Sequence, residues 1–251
     1  MLTIASFTIR KALREKVYLL FLLITCVLIA AGGSVSFYNT GVQLKFLRDV
    51  SMLVLSGFGF LLCLFVATDL VPYEIETRGI HFLASKPIER FDILAGKFLA
   101  LLGLLALNWL PLVGEVFGLL WLYGGGPNWL ILKGAGLLFL ELAVFGAMVL
   151  LLTTLLTRVI CFFGSIFLYV VCHLSDWIVS SFLAGSPAWL REGARLFLTL
   201  VPDLSHFDSR YVVVHDYDVP FGFLLLLLAY AVVYIAGFLL AARWVLETRE
   251  L

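Results

Sequence analysis

Four ionisable side chains interrupt otherwise apolar runs of this chain: Glu115, Glu141, His173 and Asp176. A charge surrounded by hydrocarbon is costly, so each calls for a partner, a wet cavity or a position near a surface. His173 and Asp176 stand three apart, which on one helix places them on one face and suits a proton relay, half a metal site or a structural hydrogen bond. Asn108 brings an amide into a similar run and, with His173, is a candidate partner for Glu141. His215, Asp216 and Asp218 cluster in a polar stretch, where two carboxylates and one imidazole read as solvated charge and not as a metal site. No GxxxxGK[ST] phosphate loop occurs: the glycines Gly124, Gly125 and Gly126 precede Pro127 and lack the lysine and hydroxyl. No HExxH and no evident serine, histidine and aspartate order accompanies them, so no catalytic residue is expected in this chain.

The elements that must hold these groups follow from composition. Of 251 residues, 63% are hydrophobic and 14% are charged, with mean hydropathy +1.08, whereas soluble domains carry about 25% charged residues. A globule of this length has too little interior for so many Leu, Phe and Val side chains, which predicts an all-α polytopic membrane protein. The apolar runs lack the alternation of barrel strands and are long enough to cross a hydrocarbon core of roughly 30 Å as helices. Charges and turn residues punctuate six predicted spans: 17–38, 50–71, 97–122, 131–156, 160–183 and 220–243. Arg10 to Lys16 followed by Val17 to Ala31 has the layout of a secretory signal but reads as the first span. Cys26, Cys63, Cys161 and Cys172 all fall inside apolar runs without a CxxC pair and read as buried small hydrophobes. The formal net charge of +0 offers nothing to a nucleic acid, so none is expected as a partner.

With six spans and both termini cytoplasmic, the inner segments hold 11 of the 17 Lys and Arg residues and the outer ones Lys45, Arg48, Lys133, Arg191, Arg195 and Arg210. Counted along a helix at about 1.5 Å per residue, Glu141 then lies roughly 12 Å below Lys133, and Asp176 some 27 Å above Arg158. Glu115 reaches a similar outer level. Glu115 and Asp176 therefore read as reaching the outer interface, while Glu141 is expected to face protein or a water-filled vestibule.

Three stretches outside the spans carry structure of their own. Leu2, Ala5, Ile9, Leu13 and Val17 recur at helical spacing opposite Arg10, Lys11 and Arg14, which predicts an interfacial helix over 1–16. Pro72 to Lys97 reads PYEIETRGIHFLASKPIERFDILAGK, with Ile75, Gly79, Phe82 and Leu83 on one helical face, Glu74, Arg78, His81 and Ser85 on others, and Pro87 ending the helix near Lys86. The outer loop 184–219 contains a predicted amphipathic helix that starts at Ser186 and Pro187 and stops at Pro202.

The order Glu74, Glu76, Gly79, Leu83, Ser85, Pro87, Ile88, Arg90, Leu94, Gly96, Lys97 resembles the cytoplasmic loop between spans two and three of type V ABC exporter permeases. The basic amphipathic start, the six spans, the amphipathic outer helix and the charged tail Arg243 to Leu251 are similar to that class as well, and within it to the small permeases of the nitrous oxide reductase maturation and gliding-motility transporter type. The resemblance implies a single permease domain over 1–251 with a coupling loop at 72–97. Glu74, Ile75, Glu76, Arg78, Gly79, Phe82, Leu83 and Arg90 would contact a separate cytoplasmic ABC ATPase. That ATPase would bind ATP and Mg, so this chain would need no cofactor of its own. A second permease copy, a second ATPase, the lipid bilayer and accessory periplasmic or membrane proteins complete the implied partners, in a bacterial plasma (inner) membrane. Asn108, Glu115, Glu141, His173 and Asp176 are the candidates for a substrate path. A proton-coupled secondary transporter using the four ionisable residues, or a non-transporting anchor subunit, would share the composition.

Overall fold

The computed structural model describes residues 2–14, 16–35, 39–70, 90–124, 129–178, 192–193 and 201–248. Every regular element among them is helical. In chain order these are α1 (Leu2–Arg14), α2 (Lys16–Ser34), α3 (Thr40–Leu70), α4 (Arg90–Leu122), α5 (Trp129–Leu155), α6 (Arg158–His173), the single turn α7 (Ser175–Trp177), a 3-10 turn (Leu204–Phe207), α8 (Arg210–Val214) and α9 (Phe221–Thr248). Four helices are long and apolar enough to cross a membrane: α3, α4 from Phe91, α5 and α9. Tyr18–Ser34 and α6 are apolar but shorter. The chain is a helical, multi-pass membrane protein.

Several span boundaries differ from those read off the charges: α4 starts at Arg90 and not near 97, α9 runs on to Thr248 beyond 243, and two further differences bear on the charged residues. α3 begins ten residues before position 50, at Thr40. Asn39 precedes it and accepts the Gly41 N–H on Oδ1 at 2.9 Å, a helix start that satisfies an otherwise orphaned donor. Lys45, Arg48 and Asp49 are thus helical and not loop residues. The fifth run, expected to be continuous over 160–183, stops at His173, where Leu174 leaves helical geometry at φ −103° and ψ 10°. His173 and Asp176 consequently belong to different elements.

α5 is the centre of the bundle. It packs against α3, α4, α6, α8 and α9, and its middle from Glu141 to Leu150 is buried without a break. Its helix is apolar all round, as a helix enclosed by others must be. Close approach comes from small residues: a Cβ at Gly59 of α3 would lie 2.7 Å from Leu142 Cδ1 and 2.9 Å from Trp109 Cζ3, and one at Gly146 would lie 2.5 Å from Leu101 Cδ2. α9, by contrast, leaves Leu225, Leu226, Val232, Val233 and Trp244 exposed, as befits a helix whose solvent is lipid.

α1 is a separate helix whose apolar side meets protein in part: Ala5 is buried and Ile9 abuts Gly103 of α4, while Leu13 and Arg10 are exposed. Three of the four cysteines, Cys63, Cys161 and Cys172, are buried and free. Residues 74–86, expected to form the coupling helix, lie outside the described residues. So do 36–38 and most of 184–200.

Candidate functional site

The polar groups gather at three levels. At one end of the bundle α3 stops at Leu70 and α4 starts at Arg90. Lys97, buried seven residues into α4, reaches back and donates from Nζ to the Leu70 carbonyl at 2.8 Å. A cation on the last carbonyl of a helix satisfies an orphan acceptor and meets the negative end of the helix dipole. Next to it, the Arg158 guanidinium at the start of α6 is paired with Asp69. The ends of α3, α4 and α6 are therefore fastened together by two charged contacts.

At the opposite end, residues 203–219 fold over the starts of α3 and α5. Arg48 and Asp49 are neighbours on α3 and take opposite partners from this cap. Arg48 Nη1 lies 2.6 Å from Asp216 Oδ2, while Asp49 receives a two-pronged contact from Arg210, with Nε at 2.7 Å and Nη2 at 3.1 Å. Lys133 of α5 pairs with Asp218 at 2.6 Å and also donates to the Val219 carbonyl. The Ser209 hydroxyl donates to the Gly134 carbonyl at 3.0 Å, and a Cβ at Gly134 would overlap Val213. Leu204 and Phe207 of the cap are fully buried against α5 and α6. The Lys133 ammonium holds the exposed Asp218 carboxyl below its ordinary value. Asp216 and Asp218 are solvated, as the sequence suggested, with side chains 54% and 84% exposed, and each also pairs with a cation of the bundle. Among the described residues no three His, Cys, Asp or Glu side chains converge as a metal site.

Between these ends lies a third group. Glu141 of α5 is buried, and the Tyr169 hydroxyl of α6 donates to its Oε1 at 2.8 Å. His173, one turn further along α6, sets Nε2 3.4 Å from the same oxygen and Nδ1 3.3 Å from the Tyr169 carbonyl. The Tyr169 ring is enclosed by Phe60 at 4.1 Å, Phe145 at 5.1 Å and the His173 imidazole at 4.4 Å between centroids. Glu141 therefore faces protein, as the cost of a charge in hydrocarbon requires.

The remaining sequence candidates separate. Asn108 is buried on α4 with no hydrogen-bond partner for Nδ2 among the described residues, and it is not among the groups that reach Glu141. Glu115 lies beside the Cys26 thiol of α2, its buried Oε2 without a hydrogen-bond partner among the described residues. Asp176 sits on α7, and its side chain lies outside the described residues, as do that of Arg90 and all of Glu74, Ile75, Glu76, Arg78, Gly79, Phe82 and Leu83. Sequence reasoning missed Tyr169. Its one available signal was the four-residue step to His173, which places both on one helical face.

No protein-family model and no curated protein matches the chain.

Proposed function

We propose that this chain is the permease subunit of an ATP-driven ABC exporter, working as a pair of permeases on two separate ATPase subunits. In this reading it spans a bacterial plasma membrane six times with both termini in the cytoplasm, α1 lies at the inner interface, and the 203–219 cap faces outward. The chain itself is not an enzyme; ATP and Mg belong to the partner ATPase.

The observation that carries the reading is the fastening of the loop roots. A coupling loop passes force only if its two stems cannot slide independently. Here the Lys97 ammonium holds the last carbonyl of α3, and Asp69 on the same turn holds α6 through Arg158. A push on residues 72–89 would therefore move three helices as a unit, all of which pack on α5. The likeness of Glu76, Gly79, Pro87, Arg90, Gly96 and Lys97 to a type V permease loop supplies the partner at that loop. Asn108, Glu115, Glu141, His173 and Asp176 would line or border the cargo path.

A proton-coupled secondary transporter is the second reading, favoured by the buried Glu141, Tyr169 and His173 group. One experiment separates the two. Replacing Phe82 and Leu83 together by Asp should abolish copurification of a P-loop ATPase from native membranes while leaving membrane insertion intact. Wild-type protein that brings down no such ATPase, or a variant that retains it, would overturn the permease assignment or remove the loop from coupling.

A further inference from the structure

The contacts of His173 pose a proton-counting problem. Its two ring nitrogens both face acceptors: Nδ1 the Tyr169 carbonyl at 3.3 Å, and Nε2 the Glu141 Oε1 at 3.4 Å. A neutral imidazole carries a hydrogen on one nitrogen only. With Glu141 ionised, one tautomer sets a nitrogen lone pair against the carboxylate, and the other sets it against the carbonyl. A single added proton removes the conflict, either as an imidazolium that donates to both or as a neutral acid on Glu141 that donates to Nε2. It also cancels the charge of a carboxylate that is only 3% exposed at its side chain.

We propose that Glu141, Tyr169 and His173 form a binding site for one exchangeable proton, shared between the carboxylate and the imidazole. The proton comes from water and no other bond is made or broken. Its route is graded by exposure: the His173 side chain is 28% exposed and takes the proton, and the buried Glu141 receives or stabilises it. Tyr169 keeps its own hydrogen, donates it to Oε1 and fixes the carboxylate between α5 and α6. Around the site α3 presents Phe60 and the Cys63 thiol, which donates to the Leu142 carbonyl, and α5 presents Phe145. α6 adds the buried Cys172, and the cap, whose 3-10 turn packs on α6, carries Asp203 and Asp208 on either side of that turn. Loss of the proton leaves either Nε2 facing the carboxylate across the α5 and α6 interface or Nδ1 facing the Tyr169 carbonyl within α6, so proton occupancy changes the contact by which α6 holds Glu141 of α5. This holds whatever drives the transporter.

The test needs no ATPase and no cargo, so its failure is distinct from failure of the permease reading. Full-length chain in phosphatidylcholine vesicles is acidified stepwise, and infrared difference spectra are recorded for wild type, Glu141→Gln, His173→Gln and Tyr169→Phe. The wild type should gain either a carboxylic-acid carbonyl band or an imidazolium ring band. That band should be lost in the variant lacking the group that carries it, and its midpoint should move by about one pH unit or more in the variant lacking the other group. Tyr169→Phe should retain the band at a shifted frequency. Should Glu141→Gln fail to insert, His173→Gln and Tyr169→Phe decide the matter by themselves. Spectra of His173→Gln and Tyr169→Phe superimposable on wild type would overturn the proposal.

Discussion

At Asp216 the backbone turns left-handed, with φ 56°, while the carboxylate holds the buried Arg48. Asparagine tolerates that backbone nearly as well as aspartate, so Asp216→Asn isolates the charge from the turn. It leaves a guanidinium that is 8% exposed at its side chain without its counter-charge. The expected loss is about 1–3 kcal/mol, read by thermal unfolding in detergent, and Asp216→Ala should cost more because it forfeits the turn as well. Asp218 offers a test in pH. Its folded value is depressed by Lys133, so its contribution is present above the ordinary carboxylate value and fades as pH falls through the lower folded one. Limited proteolysis of the cap should therefore distinguish wild type from Asp218→Asn at neutral pH, and the two should converge in acid. Sequence exposed the Glu141 problem because a carboxylate in an apolar run must be answered. It could not expose the answer in Tyr169, since a tyrosine in such a run reads equally as an interfacial anchor. Nor could it pair Arg48 with Asp216, 168 positions away.

Elements were legible where apolarity alone defines them and misjudged where charges were neutralised by folding. The six apolar runs all contain helix, but α3 extends ten residues through Lys45, Arg48 and Asp49 because the cap supplies opposite charges to the last two. Punctuation by charge assumes that charges end spans, and it fails wherever they meet partners. The end of α6 at His173 was invisible for the opposite reason. Leu174 is as apolar as its neighbours, and nothing in its type marks the departure from helix. Lys97 shows what one element requires of another. Lys97→Met keeps the length and apolar stem but withdraws the ammonium from the Leu70 carbonyl. We expect about 1.5–3 kcal/mol less stability in denaturant unfolding, with Lys97→Arg closer to wild type. An unchanged unfolding midpoint in Lys97→Met would show that the α3 terminus is held by other contacts.

For the whole molecule sidedness has a direct measurement. In a background lacking Cys26, Cys63, Cys161 and Cys172, a thiol at the exposed Tyr217 should react with an impermeant reagent from outside, and one at Thr248 only after the membrane is opened. Reaction of both from outside would break the six-span map. Composition made the membrane legible at once, whereas the inward and outward faces rest on Lys and Arg counts that ion pairing partly conceals. The two charged fastenings on α3 have a physical consequence of their own. Asp49 and Asp69 are separated by twenty residues, or about 30 Å of helix, close to the thickness of a hydrocarbon core. A longer or shorter apolar helix adapts to its bilayer by tilting, but α3 is tethered to the cap at one end and to α6 at the other. It is a ruler fixed at both marks. Lipids with longer or shorter acyl chains would have to drag one ion pair into hydrocarbon or bend the bilayer to meet it, at fractions of a kcal/mol per Å, so the thickness of the membrane itself becomes a variable to which this protein responds.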